Sequence, residues 1–170
     1  MAGSAFVASR LRRGKLSDPV PQQACREEAA VAGINTSRVV IGGLIAGLII
    51  NVSEYILNVP LFGTEMDAAL KALNLPPVGG NTIAVFVTLS FVLGVLLVWL
   101  YAAIRPRFGA GPKTAASAGI VVWFLAYFWS AVSVGMLGLF PSKLLLIGLV
   151  WGLVELIVAG VVGAYFYSET

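Results

Sequence analysis

The chain has 170 residues, of which 59% are hydrophobic and 11% charged, with a net charge of +3 and a mean hydropathy of +0.94. A soluble domain is about half apolar and about a quarter charged, so the bilayer has to be the solvent for most of this surface. There is no histidine and a single cysteine, Cys25, which excludes an internal disulfide, zinc, copper or haem sites built on those ligands, and a Ser-His-Asp triad.

Residues 1–35 differ in character from the rest of the chain. The first seventeen are rich in Ala, Ser and Arg, carry no acid before Asp18, and lack the apolar core of a secretory signal. Three readings stay open: a disordered tail, a mitochondrial presequence, or residues outside the native chain. The last comes from the codons. Arg26-Glu27-Glu28 can be encoded by a purine-rich ribosome-binding sequence, and Val31 can be a GUG start, so on this third reading translation begins at Val31.

Beyond the tail, four stretches reach the roughly 20 mainly apolar residues that a helix needs to span a bilayer: about 39–61, 82–104, 114–140 and 144–167. The expected fold is therefore all-α, an integral membrane bundle of four transmembrane helices. Pro60, Pro76-Pro77, Pro106 and Pro141 punctuate the joints.

In the first span, Gly43, Gly47, Asn51, Glu54 and Asn58 fall within an arc of about 80° on a helix. Small residues at one end of that stripe invite close helix packing, and polar ones at the other can hydrogen-bond across it. The loop 62–81 contains Thr64-Glu65-Met66-Asp67, which resembles a capping box, with Met66, Ala69, Leu70 and Leu73 at helical spacing. A short amphipathic helix on the membrane surface is expected there.

The loop 105–114 superficially suggests phosphate binding, but Pro112 interrupts the required Gly-Lys-Thr ending and no strand precedes it. Arg105, Arg107 and Lys113 are read instead as a cytoplasmic basic loop that holds topology and meets anionic head groups. In the third span Trp123, Phe124, Tyr127, Phe128 and Trp129 cover more than one face, so some pack and some meet lipid; a pigment or quinone pocket is the alternative. The fourth span repeats the stripe of the first as Gly148, Gly152, Glu155, Ala159 and Gly163, again within about 80°. The first and fourth helices are expected to meet through their glycines.

An ionised acid at mid-helix costs roughly 2.5–3.5 kcal/mol on insertion scales. Glu54 and Glu155 should therefore face the bundle interior, each hydrogen-bonded or protonated. Asn51, Glu54, Asn58 and Glu155 form a candidate intramembrane polar site, either a structural clasp or a proton or cation site. No metal or cofactor is implied. The sequons at Asn35 and Asn51 fall on the cytoplasmic side and inside a span, where neither is used.

Lys and Arg set the orientation. Arg10, Arg12, Arg13, Lys15, Arg26, Arg38, Arg105, Arg107 and Lys113 lie on one side, against Lys71 and Lys143 on the other. This places both ends in the cytoplasm and explains the basic balance without a nucleic-acid partner.

Asn51-Val52-Ser53-Glu54-Tyr55, the run from Tyr101 to Gly109, Gly111-Pro112-Lys113-Thr114-Ala115 and the run from Trp151 to Glu155 resemble an uncharacterised family of small bacterial four-helix inner-membrane proteins. The resemblance covers about residues 36–168 and leaves the tail outside. It implies the four-helix architecture and the bacterial cytoplasmic membrane, and no activity. The leading expectation is a non-enzymatic structural or accessory membrane component, a homo-oligomer or part of a larger membrane complex. The alternative is a small proton- or cation-coupled transporter or channel subunit using Glu54 and Glu155. A lipid-modifying enzyme ranks third, because Ser, Tyr and Glu alone would have to carry the chemistry.

Overall fold

A computed structural model describes residues 33–169, with no strand among them. The candidate start at Val31, Cys25 and the rest of the tail lie outside the described residues. The spanning helices are Thr36–Leu61, Gly80–Phe108, Pro112–Met136 and Ser142–Tyr165, each 24 to 29 residues. At 1.5 Å per residue they are about 36–44 Å long, enough to cross hydrocarbon and head groups. The chain is a multi-pass, all-helical membrane protein.

Helix α1 (Thr36–Ile56) starts on Asn35, whose side-chain oxygen accepts from the Arg38 backbone N–H at 3.2 Å. It continues as a π-helical turn, Leu57–Leu61, around Pro60. Proline has no N–H and would press on the carbonyl four residues back, so the wider turn accommodates it, closed by Phe62 N–H donating to the Leu57 carbonyl at 3.0 Å. Helix α2 (Gly63–Ala72) is the expected short helix of the first loop. The capping box is not formed: the helix begins before Thr64, whose hydroxyl donates to Glu65 Oε2 at 2.9 Å. That contact holds the Glu65 carboxyl below its ordinary range.

Helix α3 (Gly80–Phe108) overruns the expected end at Ile104. Pro106 lies so close to its end that one missing donor is tolerated, and Gly109, at φ 84°, stops it. The third span is three pieces: α4 (Pro112–Trp123), a π-helical turn Phe124–Phe128, and α5 (Trp129–Met136). It ends before the expected Phe140 because Gly138 turns into the left-handed region at φ 66°. Helix α6 (Ser142–Tyr165) completes the bundle.

The two ends of the described chain meet at one end of the bundle, the terminal end. There the Asn35 backbone N–H donates to the Tyr167 hydroxyl at 3.4 Å, Tyr101 packs edge-on against Tyr167 at 6.0 Å, and Gly111 N–H donates to the Tyr101 hydroxyl at 3.3 Å. Thr114, buried, closes the 109–114 turn with a 2.8 Å bond to the Gly109 carbonyl. The core lies in this half: Ala46, Ile50, Leu97, Val98, Ala115, Ala118, Leu156 and Ala159 are all shut off from solvent and lipid.

The glycines work differently from the expected pairing of stripes. Gly43 and Gly47 admit α3, not α6: a Cβ on Gly47 would stand 2.7 Å from Phe91 Cα, one on Gly43 would collide with Val95, and Gly94 of α3 backs onto both. Helices α1 and α6 are neighbours, but through Gly42 and Ala46 against Gly163. Gly42 and Gly43 lie about 100° apart around the axis, so adjacent glycines serve two different partners. Gly148 has nothing within 4 Å of its would-be Cβ and takes no part in a close approach.

Candidate functional site

The polar site begins with the two glutamates. Glu155 of α6 is 4% exposed, and Glu54, three residues before the π turn of the first span, is half-buried. Both lie on the far side of the core from the terminal end. The piece between them comes from the third span. Tyr127 lies within the Phe124–Phe128 π turn. One extra residue in a helical turn rotates the downstream residues relative to a regular helix, a common device at functional positions. The Tyr127 ring lies against Gly152, where a Cβ would stand 2.5 Å from Cδ1. Gly152 is thus a seat for an aromatic ring, not a helix–helix contact.

Seated there, the Tyr127 hydroxyl reaches Glu54 Oε1 at 3.0 Å and Glu155 Oε1 at 2.9 Å. Asn58 Nδ2 donates to Glu54 Oε2 at 2.6 Å and to the Glu54 backbone carbonyl at 2.9 Å, fixing that carboxyl from the other side. Trp151 Nε1 donates to Ser53 Oγ at 2.8 Å. Glu155 Oε2 is buried without a partner in good hydrogen-bond geometry. Among the described residues the one ion pair is Arg105–Glu169 at 3.5 Å, so no Lys or Arg neutralises either glutamate.

The proton inventory follows from valence. A tyrosine hydroxyl carries one hydrogen and can donate to one carboxyl only. For both short O···O contacts to be hydrogen bonds, a second hydrogen must come from a glutamic acid. Two bare carboxylates sharing a single O–H, with no cation beside them, would leave the buried Glu155 with an uncompensated desolvation cost. The trio therefore has two possible arrangements. In one, Glu54 is the acid and donates to Tyr127, which donates to Glu155; in the other, the direction is reversed.

The remaining candidates divide. Asn58 belongs to the cluster. Asn51 does not: its Nδ2 donates to the Gly47 carbonyl at 2.8 Å and to the Val87 carbonyl of α3 at 3.4 Å, so it ties the first two spans together. Arg107 and Lys113 are exposed at the terminal end. Arg105 turns away from them, toward Glu169 and over the Tyr167 ring at 5.5 Å. Of the third-span aromatics, Trp123 and Tyr127 turn inward, Trp123 Nε1 donating to the Leu149 carbonyl at 2.9 Å, while Trp129 is exposed. Tyr127 is the site residue that pattern reading placed only among aromatics. Its signal was a phenol in a span opposite two helices that each carry a Glu.

The two carboxyls open on different hollows. Glu54, Asn58 and Tyr127 line one of about 360 Å³, bordered by Phe62 and by Met66 of α2. Glu155 and Ser53 line another of about 660 Å³ between α1 and α6. No group of three or more His, Cys, Asp or Glu suited to a metal occurs among the described residues. Comparison of the chain with family models, with curated proteins and with solved structures finds no match.

Proposed function

We propose that this is a non-enzymatic membrane protein whose Glu54–Tyr127–Glu155 trio holds and exchanges a proton, coupling it to the passage or binding of a cation or small solute. The observation that carries this reading is the single Tyr127 hydroxyl between two carboxyl oxygens at 3.0 and 2.9 Å, an arrangement that keeps one acidic hydrogen inside the bundle. Moving that hydrogen from one end of the trio to the other requires no side-chain rearrangement, only a reversal of two hydrogen bonds. The working cell membrane is the bacterial cytoplasmic one, with the terminal end in the cytoplasm, supported by Arg38, Arg105, Arg107 and Lys113 at that end against Lys71 and Lys143. Arg107 and Lys113 meet anionic head groups there.

The competing reading is a structural component of a homo-oligomer or a larger membrane complex, with the trio as a clasp. It draws on the close glycine approaches between α1, α3 and α6, which make a rigid scaffold. Purified protein in proteoliposomes separates the two. With a pH gradient imposed, the parent should dissipate it faster than empty vesicles, and Glu54→Gln and Glu155→Gln should fold but lose the difference. Equal flux from parent and Gln variants leaves the clasp as the only role.

A further inference from the structure

The hollow between α1 and α6 has a composition that a purely structural seam does not need. Its walls are Ile49, Leu146, Val150, Val154 and Val158, and its few polar features are Ser53, the Trp151 indole and Glu155. Leu146, Val150, Val154 and Val158 are largely exposed, so the groove opens sideways along the apolar flank of the bundle. At about 660 Å³ it falls within the usual range for small-molecule sites, roughly 300–1,000 Å³. Glu155 Oε2, buried and unpartnered, belongs to the residue that lines it. An acidic group in the wall of an otherwise apolar groove, with no protein cation beside it, is complementary to one positive charge on an apolar body.

We infer that this groove binds an amphipathic organic monocation, its charged group at Glu155 and its apolar body along Ile49, Val150 and Val154. Trp151, whose N–H is engaged by Ser53, lines the same groove and supplies an aromatic ring of the kind that cations favour. This rests on the proton-exchange reading above and gives its solute a chemical class. A cation at Glu155 takes the place of the acidic hydrogen, which leaves the trio for water, and the Tyr127 hydroxyl then donates to Glu54. The titratable groups facing Glu155 are Glu54 from α1 and Tyr127 from the third span; Ser53 and Trp151 do not titrate, and no Lys or Arg takes part. Binding and protonation therefore compete, and the cation binds more tightly as pH rises.

The test uses the full chain in nanodiscs of zwitterionic lipid, with tetraphenylphosphonium as the cation and triphenylphosphine oxide as its neutral counterpart. The expected result is saturable tetraphenylphosphonium binding that tightens with pH and releases protons. Glu155→Gln, which keeps the shape but not the charge, and Val150→Trp, which fills the groove from its exposed side, should each weaken it at least about tenfold. Glu65→Gln in α2 should leave it unchanged. Binding that survives Glu155→Gln, equal binding of the neutral probe, or no saturable binding overturns the inference. The two levels separate cleanly. Cation binding without proton release removes proton exchange and leaves the groove, whereas Gln-sensitive proton flux without cation binding leaves proton exchange and removes the groove.

Discussion

In the half of the bundle that carries both chain ends, Ala46, Leu97, Ala115, Ala118, Leu156 and Ala159 are entirely enclosed, and glycine backbones from α1, α3 and α6 touch. In the opposite half, α3 from Gly80 to Leu89 is exposed at every residue, α5 buries nothing fully, and two hollows open beside Glu54 and Glu155. Both halves are built from apolar helices, so hydrophobicity does not distinguish them. In a bilayer lipid tails satisfy an apolar face as well as another helix does, and close packing depends on small residues and shared hydrogen bonds. Where α1 presents Gly42, Gly43 and Gly47, helices close up. Where it presents Glu54 and Asn58, they stand apart and a tyrosine fills the gap.

If that contrast is right, adding one methyl group should cost most in the tight half. Gly94→Ala places a Cβ against the Gly43 carbonyl and the Gly47 backbone, which cannot rotate away. A loss of about 3 kcal/mol or more, seen as a lower unfolding temperature in detergent or as failure to assemble, is expected. A fully stable variant would mean that α1 and α3 are not packed as described. In the open half the same change at Gly152 meets only the Tyr127 ring, which can swing. A smaller loss of about 1–2 kcal/mol is expected, together with loss of proton flux, because the hydroxyl leaves both carboxyls. Tyr127→Phe should show the flux defect with a stability change of only about 1 kcal/mol, since the ring still fits.

Much of this architecture could be read from residues alone, for reasons that are physical. Four spans, the short helix of the first loop and the inward glutamates follow from length, periodicity and the cost of charge in lipid. The pairing of glycines did not follow, because an 80° arc is broad enough to touch two neighbours and says nothing of which one. The alternation of Gly42 toward α6 with Gly43 toward α3 depends on Gly94 and Gly163 in other helices. Asn51 shares an arc with Glu54, yet it hydrogen-bonds to α3, since the partner on that face changes along α1. Tyr127 was hidden for a different reason. Its inward position accompanies a π turn, and a register change of one residue leaves no mark in a 3.6-residue pattern.

Two further substitutions sharpen the contrast at its small end. Gly148→Ala lies in open space beside the hollow that Glu54 lines and should be neutral, or stabilising by a few tenths of a kcal/mol through helix propensity. A large loss would mean that this hollow is closed in the membrane. Outside the spans, Thr64→Val should return the Glu65 carboxyl toward its ordinary titration, followed by NMR. Because the folded carboxyl is depressed, whatever that contact adds to stability is present above the ordinary carboxylate range and is lost as pH falls through the folded value. An unchanged Glu65 titration would show that the Thr64 contact is not maintained.

The central claim is the acidic hydrogen held between Glu54, Tyr127 and Glu155, and infrared difference spectroscopy on the full chain in lipid reads it directly. At neutral pH the chain should show the carbonyl stretch of a protonated carboxyl group. That band should shift in Tyr127→Phe, where both hydrogen bonds of the hydroxyl are gone, and should vanish when Glu54 and Glu155 are both replaced by Gln. No protonated-carboxyl band at neutral pH, or one that survives the double substitution unchanged, would contradict the shared proton.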